Sequence, residues 1–179
     1  TVPAQQPSGM DHWDHLLIWA TAAAGFWLLY PLHMPLSYMD TDFLDYCIGV
    51  VSLDHVELRT PYKRSAFAAL PSYGFGRGAG LVNGMALASI AAYLGILYTA
   101  VFWVRSYAAG RMPLLCTLAL FCSMAPLLSL GRMFNFYPEV ILFTFLGALL
   151  VKRALERPDP MGFFLGGAGV SMAFLSDVR

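Results

Sequence analysis

GAGLVNGMALASIAAYLGILYTAVFWV, residues 78 to 104, runs from Arg77 to Arg105 without a formal charge, and it is 27 residues long. About 20 apolar residues in a helix suffice to cross the hydrocarbon core of a bilayer. A charged side chain is costly in hydrocarbon, so the gaps between ionisable residues mark where a chain can cross. The spacing predicts a transmembrane helix here, and four more stretches read the same way.

Residues 16–37 fall in the uncharged interval between Asp14 and Asp40, and residues 112–131 lie between Arg111 and Arg132. Residues 133–151 are interrupted by Glu139 alone, and residues 160–176 are apolar and rich in glycine. Backbone polar groups must be satisfied internally in lipid, so each stretch is read as a helix. The expected fold class is an all-α membrane protein, a single membrane domain with about five transmembrane helices. Residues 1–15 form a cytoplasmic N-terminus, and an outer loop over residues 38–77 contains interfacial amphipathic helices. Pro31 and Pro35 are expected to end or kink the first helix, Pro113 to sit in the opening turn of the third, and Pro126 to kink it. Gly80, Gly84, Gly166, Gly167 and Gly169 are expected to permit close helix contact.

Composition agrees. Of 179 residues 58% are hydrophobic and 12% charged, against about 45–50% and about 25% in ordinary soluble domains. That balance is read as excluding a soluble globular domain and a disordered chain. Eleven basic and eleven acidic residues cancel, so no basic field for nucleic acid is present. Cys47, Cys116 and Cys122 are an odd number without metal-ligand or redox spacing, and are read as packing residues. The opening TVPAQQPSGM has no basic run and does not read as a signal peptide.

Orientation follows from the basic connectors. Arg105 to Arg111 holds two arginines and Lys152 to Asp159 holds Lys152, Arg153 and Arg157, so both are expected on the cytoplasmic side. The long segment before Arg77, the turn from Arg132 to Glu139 and the end at Arg179 are then outside. Integral placement in a bacterial inner membrane is the expected location.

Nine of the 22 charges fall between Asp40 and Arg77. Asp42 and Asp45 are one helical turn apart, with Phe43, Tyr46 and Val50 available as an apolar stripe, the pattern of an interfacial helix. Carboxylates such as Asp40 and Asp42 at a water–hydrocarbon boundary can serve as a base or metal ligand toward a lipid-borne substrate, or can simply solvate a loop. Lys63 and Arg64 form a compact cationic pair suited to a phosphate, or to Asp54 and Glu57 nearby. Glu139 stands within reach of Arg132 and reads either as a functional intramembrane acid or as half of an interfacial ion pair. His12 and His15 in DHWDH have metal-compatible spacing but no third ligand in view. The histidine pattern does not fit a haem bundle.

The order of these features is similar to that of a known family. The stretches PYKRSAFAALP (61–71), LGRMFNFYPEVILFTFLGALLVKRALE (130–156) and GFFLGGAGVSMAFLS (162–176) resemble the N-terminal part of GT-C-type polytopic membrane glycosyltransferases. The most similar branch contains the protein O-mannosyltransferases and the aminoarabinose transferases of lipid A. The resemblance implies a transferase that moves a sugar from a polyprenyl-phosphate carrier to an acceptor on the outer face. Under it, Asp40 or Asp42 is the base or a ligand to a divalent metal, Lys63 and Arg64 hold the carrier phosphate, and Glu139 with Arg132 belongs to the substrate site. The loop opens Asp-Thr-Asp where that family commonly has Asp-Glu, and its Lys-Pro-Pro pattern is Lys63-Arg64-Ser65 here. Expected partners are membrane lipid, the lipid-linked sugar and other membrane proteins. The alternative is a non-catalytic integral membrane subunit of a larger complex.

Overall fold

The computed structural model describes residues 10–29, 47, 50, 51, 53, 66–108, 110–123 and 137–177. Among them the chain is all-helical, with six helices. These are α1 His12–Leu29, α2 Ala66–Ala79, α3 Leu81–Tyr107, α4 Arg111–Ser123, α5 Tyr137–Glu156 and α6 Pro160–Asp177.

The central element is α3, which packs against α2, α5, α4 and α1. Its buried residues include Met85, Ala88, Ser89, Ala92, Tyr93, Ile96, Leu97, Val101 and Arg105, a stripe advancing by three or four as one helical face must. Around its middle and C-terminal half, Ile18 and Ala22 of α1 and Leu114, Leu118 and Phe121 of α4 close the main core. A second core forms near its start from Val50, Ala69 and Met85, flanked by Cys47, Leu53, Tyr73, Leu81, Tyr137 and Val140. The segment 38–77, expected as an outer loop, therefore includes a helix, α2, that packs along α3.

Gly80 makes that packing possible. It is the single residue between α2 and α3, with φ 84° and ψ 159°, a region essentially open to glycine alone. Its N–H donates to the Gly76 carbonyl at 2.8 Å and its carbonyl accepts from the Gly84 N–H at 2.8 Å. The chain so reverses that a Cβ on Gly84 would lie 2.5 Å from the Gly76 backbone and 2.7 Å from the Ser72 carbonyl oxygen. Gly80 is thus a corner rather than a contact residue, and for that reason α3 starts at Leu81 instead of residue 78.

The most extensive helix pair is α5 with α6. A Cβ on Gly147 would meet the Gly166 carbonyl oxygen at 2.9 Å, and one on Gly166 would meet the Val151 backbone nitrogen at 2.9 Å. Gly169 faces the Gly147 backbone at 3.2 Å, whereas Gly167 has nothing within 4 Å and contributes no close contact. The turn is set by Asp159, whose Oδ1 accepts the Met161 N–H at 3.1 Å, with Pro160 at the first helical position, where the missing N–H costs nothing.

Two further boundaries differ from the expected spans. Helix α1 starts at His12 because Asp11 and Asp14 cap it reciprocally. The Asp14 N–H donates to Asp11 Oδ1 at 2.9 Å and the Asp11 N–H to Asp14 Oδ2 at 3.2 Å, a carboxylate version of the capping box. Helix α5 continues past residue 151 to Glu156, where Lys152 Nζ pairs with Glu156 Oε1 at 2.8 Å one turn on, so the charges extend the helix instead of ending it.

One helix among the described residues, α3, is long and apolar enough to cross a membrane, with 27 residues and a mean hydropathy of 1.9 in its most apolar window. At about 1.5 Å rise per residue it spans roughly 40 Å. Helix α4 and residues 160–174 are shorter apolar helices.

Candidate functional site

Of the residues expected to form the outer site, Asp40, Asp42, Lys63, Arg64 and Arg132 lie outside the described residues. Glu139 is described. It sits in the first turn of α5 and is 2% exposed, where the helix N-terminus favours negative charge. Its neighbours Tyr137 and Val140 pack against the second core. That core also receives Cys47, Val50 and Leu53, which follow the aspartates in sequence, and Ala69, which follows the cationic pair. Cys47 Sγ contacts Met85 Sδ at 3.8 Å, and burial pushes its thiol pKa up, so it is a packing residue and not a poised nucleophile.

The opposite end carries a site that spacing did not reveal. There α1 begins, α3 and α5 end, and α4 and α6 begin. Arg105 was expected as a cytoplasmic loop cation; it is 6% exposed, inside α3. Its Nε donates to Asp14 Oδ2 at 2.9 Å, its Nη2 donates to Asp14 Oδ1, and its Nη1 donates to the Gly110 carbonyl at 3.2 Å. Asp14 is fully buried. Burial alone would raise its pKa, but the Arg105 guanidinium and the Asp11 N–H outweigh it and hold the carboxyl below its ordinary range. The signal was present in the register: Arg105 stands four residues after Val101 on the buried stripe, so it continues a face and does not start a loop.

Beside this pair, His15 Nδ1 lies 3.2 Å from the Tyr98 hydroxyl, the two rings tilted at 47°. That contact accounts for His15 without a metal, and among the described residues no three His, Cys, Asp or Glu side chains gather around a possible ion. Arg153 lies over the Phe102 ring at 4.4 Å and Lys152 over Tyr107 at 4.3 Å. Beside the Arg153–Phe102 contact is a cavity of about 470 Å³ lined by Phe102, Arg105, Ser106, Arg153, Arg157 and Asp159, among others.

Comparison with protein-family models, curated proteins and solved structures finds no match to this chain.

Proposed function

We propose that this chain is an integral membrane protein that transfers a sugar from a polyprenyl-phosphate carrier, with its reacting groups at the end of the bundle where α3 and α5 begin. The observation carrying this reading is the second core, which gathers the residues that follow the aspartates, the residue that follows the cationic pair, and the turn bearing Glu139. A residue extends the chain by at most about 3.5 Å. Asp42 is five residues from Cys47 and Lys63 six from Ala69 in the sequence, so each is tethered to that core by no more than about 21 Å of chain.

The membrane part of the reading is supported by the perimeter. Trp19, Met112, Leu120, Leu155, Phe164 and Phe174 are all more than half exposed, an apolar surface suited to lipid. The hydroxyls of Thr21, Thr99, Ser106, Thr117 and Thr144 each donate to a carbonyl four residues back, at 2.7–2.9 Å, which satisfies them without water.

In the chemistry proposed, Asp40 or Asp42 takes the proton of the acceptor hydroxyl as the bond to the anomeric carbon forms and the bond to the carrier phosphate oxygen breaks. Lys63 and Arg64 stabilise the departing phosphate. The test is release of polyprenyl phosphate from a lipid-linked sugar by the protein in liposomes. Asp40→Asn or Asp42→Asn is expected to lower turnover about 100-fold or more, with helical content unchanged. Full turnover in the double variant overturns the assignment of the base.

A second reading, a non-catalytic subunit of a membrane complex, is favoured by the run of exposed large apolar residues on α6, Met161, Phe163, Phe164, Leu165, Val170 and Phe174. Consumption of the donor by the protein alone decides against it.

A further inference from the structure

Charge accounting around the cavity leaves two arginines without an ion-pair partner and a net positive lining. Asp14 is taken by Arg105, and Glu156 by Lys152. Asp159 Oδ1 accepts the Met161 N–H but has no cation within ion-pair distance among the described residues, so it offsets one positive charge, and Asp11 lies 4.0 Å from Arg111. Arg105 has its Nε, Nη1 and Nη2 engaged by Asp14 and Gly110. Arg153 and Arg157 remain, and among the described residues neither has a carboxylate within ion-pair distance. Both line the cavity.

The cavity wall also positions them. The Phe102 ring carries the Arg153 guanidinium on its face, and the Arg157 N–H donates to the Arg153 carbonyl at 2.9 Å, which closes the last turn of α5 and keeps the two residues together. Met10, Phe102 and Leu150 supply an apolar side. Gly162 also lines it, where a Cβ would crowd Asp159 Oδ2 at 2.9 Å and Ala154 at 3.3 Å. The volume lies within the range of about 300–1,000 Å³ usual for small-molecule sites.

We propose that this cavity binds a phosphate group, borne by the headgroup of an anionic phospholipid, with Arg153 and Arg157 as its donors. Arginine offers a planar fork matched to phosphate oxygens, and basic pockets between helix ends are a common seat for anionic headgroups. The lipid as the carrier rests on the membrane reading above; the phosphate chemistry does not. The site is at the other end of the bundle from the proposed sugar transfer, so the turnover assay and the binding assay fail independently.

The test measures retention of phosphatidylglycerol against phosphatidylcholine by the purified full chain in detergent, with soluble glycerol phosphate as a second probe. The protein is expected to prefer phosphatidylglycerol, and Arg153→Gln with Arg157→Gln to reduce that preference by about fivefold per arginine. Arg77→Gln, which removes a cation held over Tyr73 in α2 and away from this cavity, is expected to leave the preference intact. Competition by glycerol phosphate would assign the site to free phosphates as well as to lipid, and its failure to compete assigns it to the lipid. Equal retention of both lipids with no binding of glycerol phosphate overturns the proposal. So does an equal loss in Arg77→Gln, which would indicate attraction by general charge and not by a built site.

Discussion

Asp14 and Arg105, 91 residues apart in sequence, meet in a two-point ion pair with side-chain exposures of 1% and 7%. The pair ties the start of α1 to the end of α3, and through Gly110 to the start of α4. Asp14 also caps its own helix, so one carboxylate holds two elements in register.

Removing one partner strands the other charge in a buried site. Asp14→Asn or Arg105→Met is expected to destabilise the protein by about 3–5 kcal/mol, measured by denaturant or thermal unfolding in detergent. The double variant Asp14→Leu, Arg105→Met is expected to recover much of that loss, because a buried ion pair and an apolar pair of similar volume are nearly equivalent in stability. A double variant as unstable as the singles would show that the capping role of Asp14 dominates.

The same pair sets an acid limit. The Asp14 carboxyl is held below its ordinary value of 3.8 in the folded protein, so the folded state binds this proton less readily than the unfolded chain does. Its contribution is fully present above that ordinary value and is lost as pH falls through the lower, folded value. Stability curves of the parent and of Asp14→Asn are expected to converge as pH falls below 3.8. Parallel curves throughout would exclude Asp14 as the titrating group.

At the α2–α3 corner, Gly80→Ala is expected to cost about 1–3 kcal/mol, since φ 84° and ψ 159° are strained for any residue with a Cβ. Gly78→Ala, in α2 with open space around it, is expected to be neutral or to stabilise by up to about 1 kcal/mol. Equal effects in thermal unfolding would mean that the corner relaxes.

Along the α5–α6 contact, Gly147→Leu and Gly166→Leu are expected to force the helices apart, with a loss of about 1–3 kcal/mol or more. Gly167→Leu has open space to occupy and is expected to leave the melting temperature nearly unchanged. Cross-linking yields between cysteines placed on the two helices would report the separation directly.

The helices were legible because hydrophobic runs and charge gaps are local. Five of the six overlap the stretches expected as spans, and the glycines of α6 announced close packing at positions 166 and 169. What misled was treating every charge as a boundary. Lys152, Arg153 and Glu156 continue α5 because their long stems and turn-to-turn pairing suit a helix. Arg105 lies inside α3 because a partner neutralises it, and nothing local to residue 105 names that partner.

The sequence by itself determined the apolar stretches that carry α1, α3, α4, α5 and α6, since hydrophobic runs and charge gaps follow from residue spacing along one chain. The tertiary structure alone decided that Asp14 belongs with Arg105, that α2 folds back on α3 at Gly80, and that Arg153 and Arg157 share a cavity without an ion-pair partner of their own among the described residues. The difference is physical. Helix formation depends on side chains within a few residues, whereas the pairing of buried charges depends on which helix ends are brought together when α3 collects its neighbours.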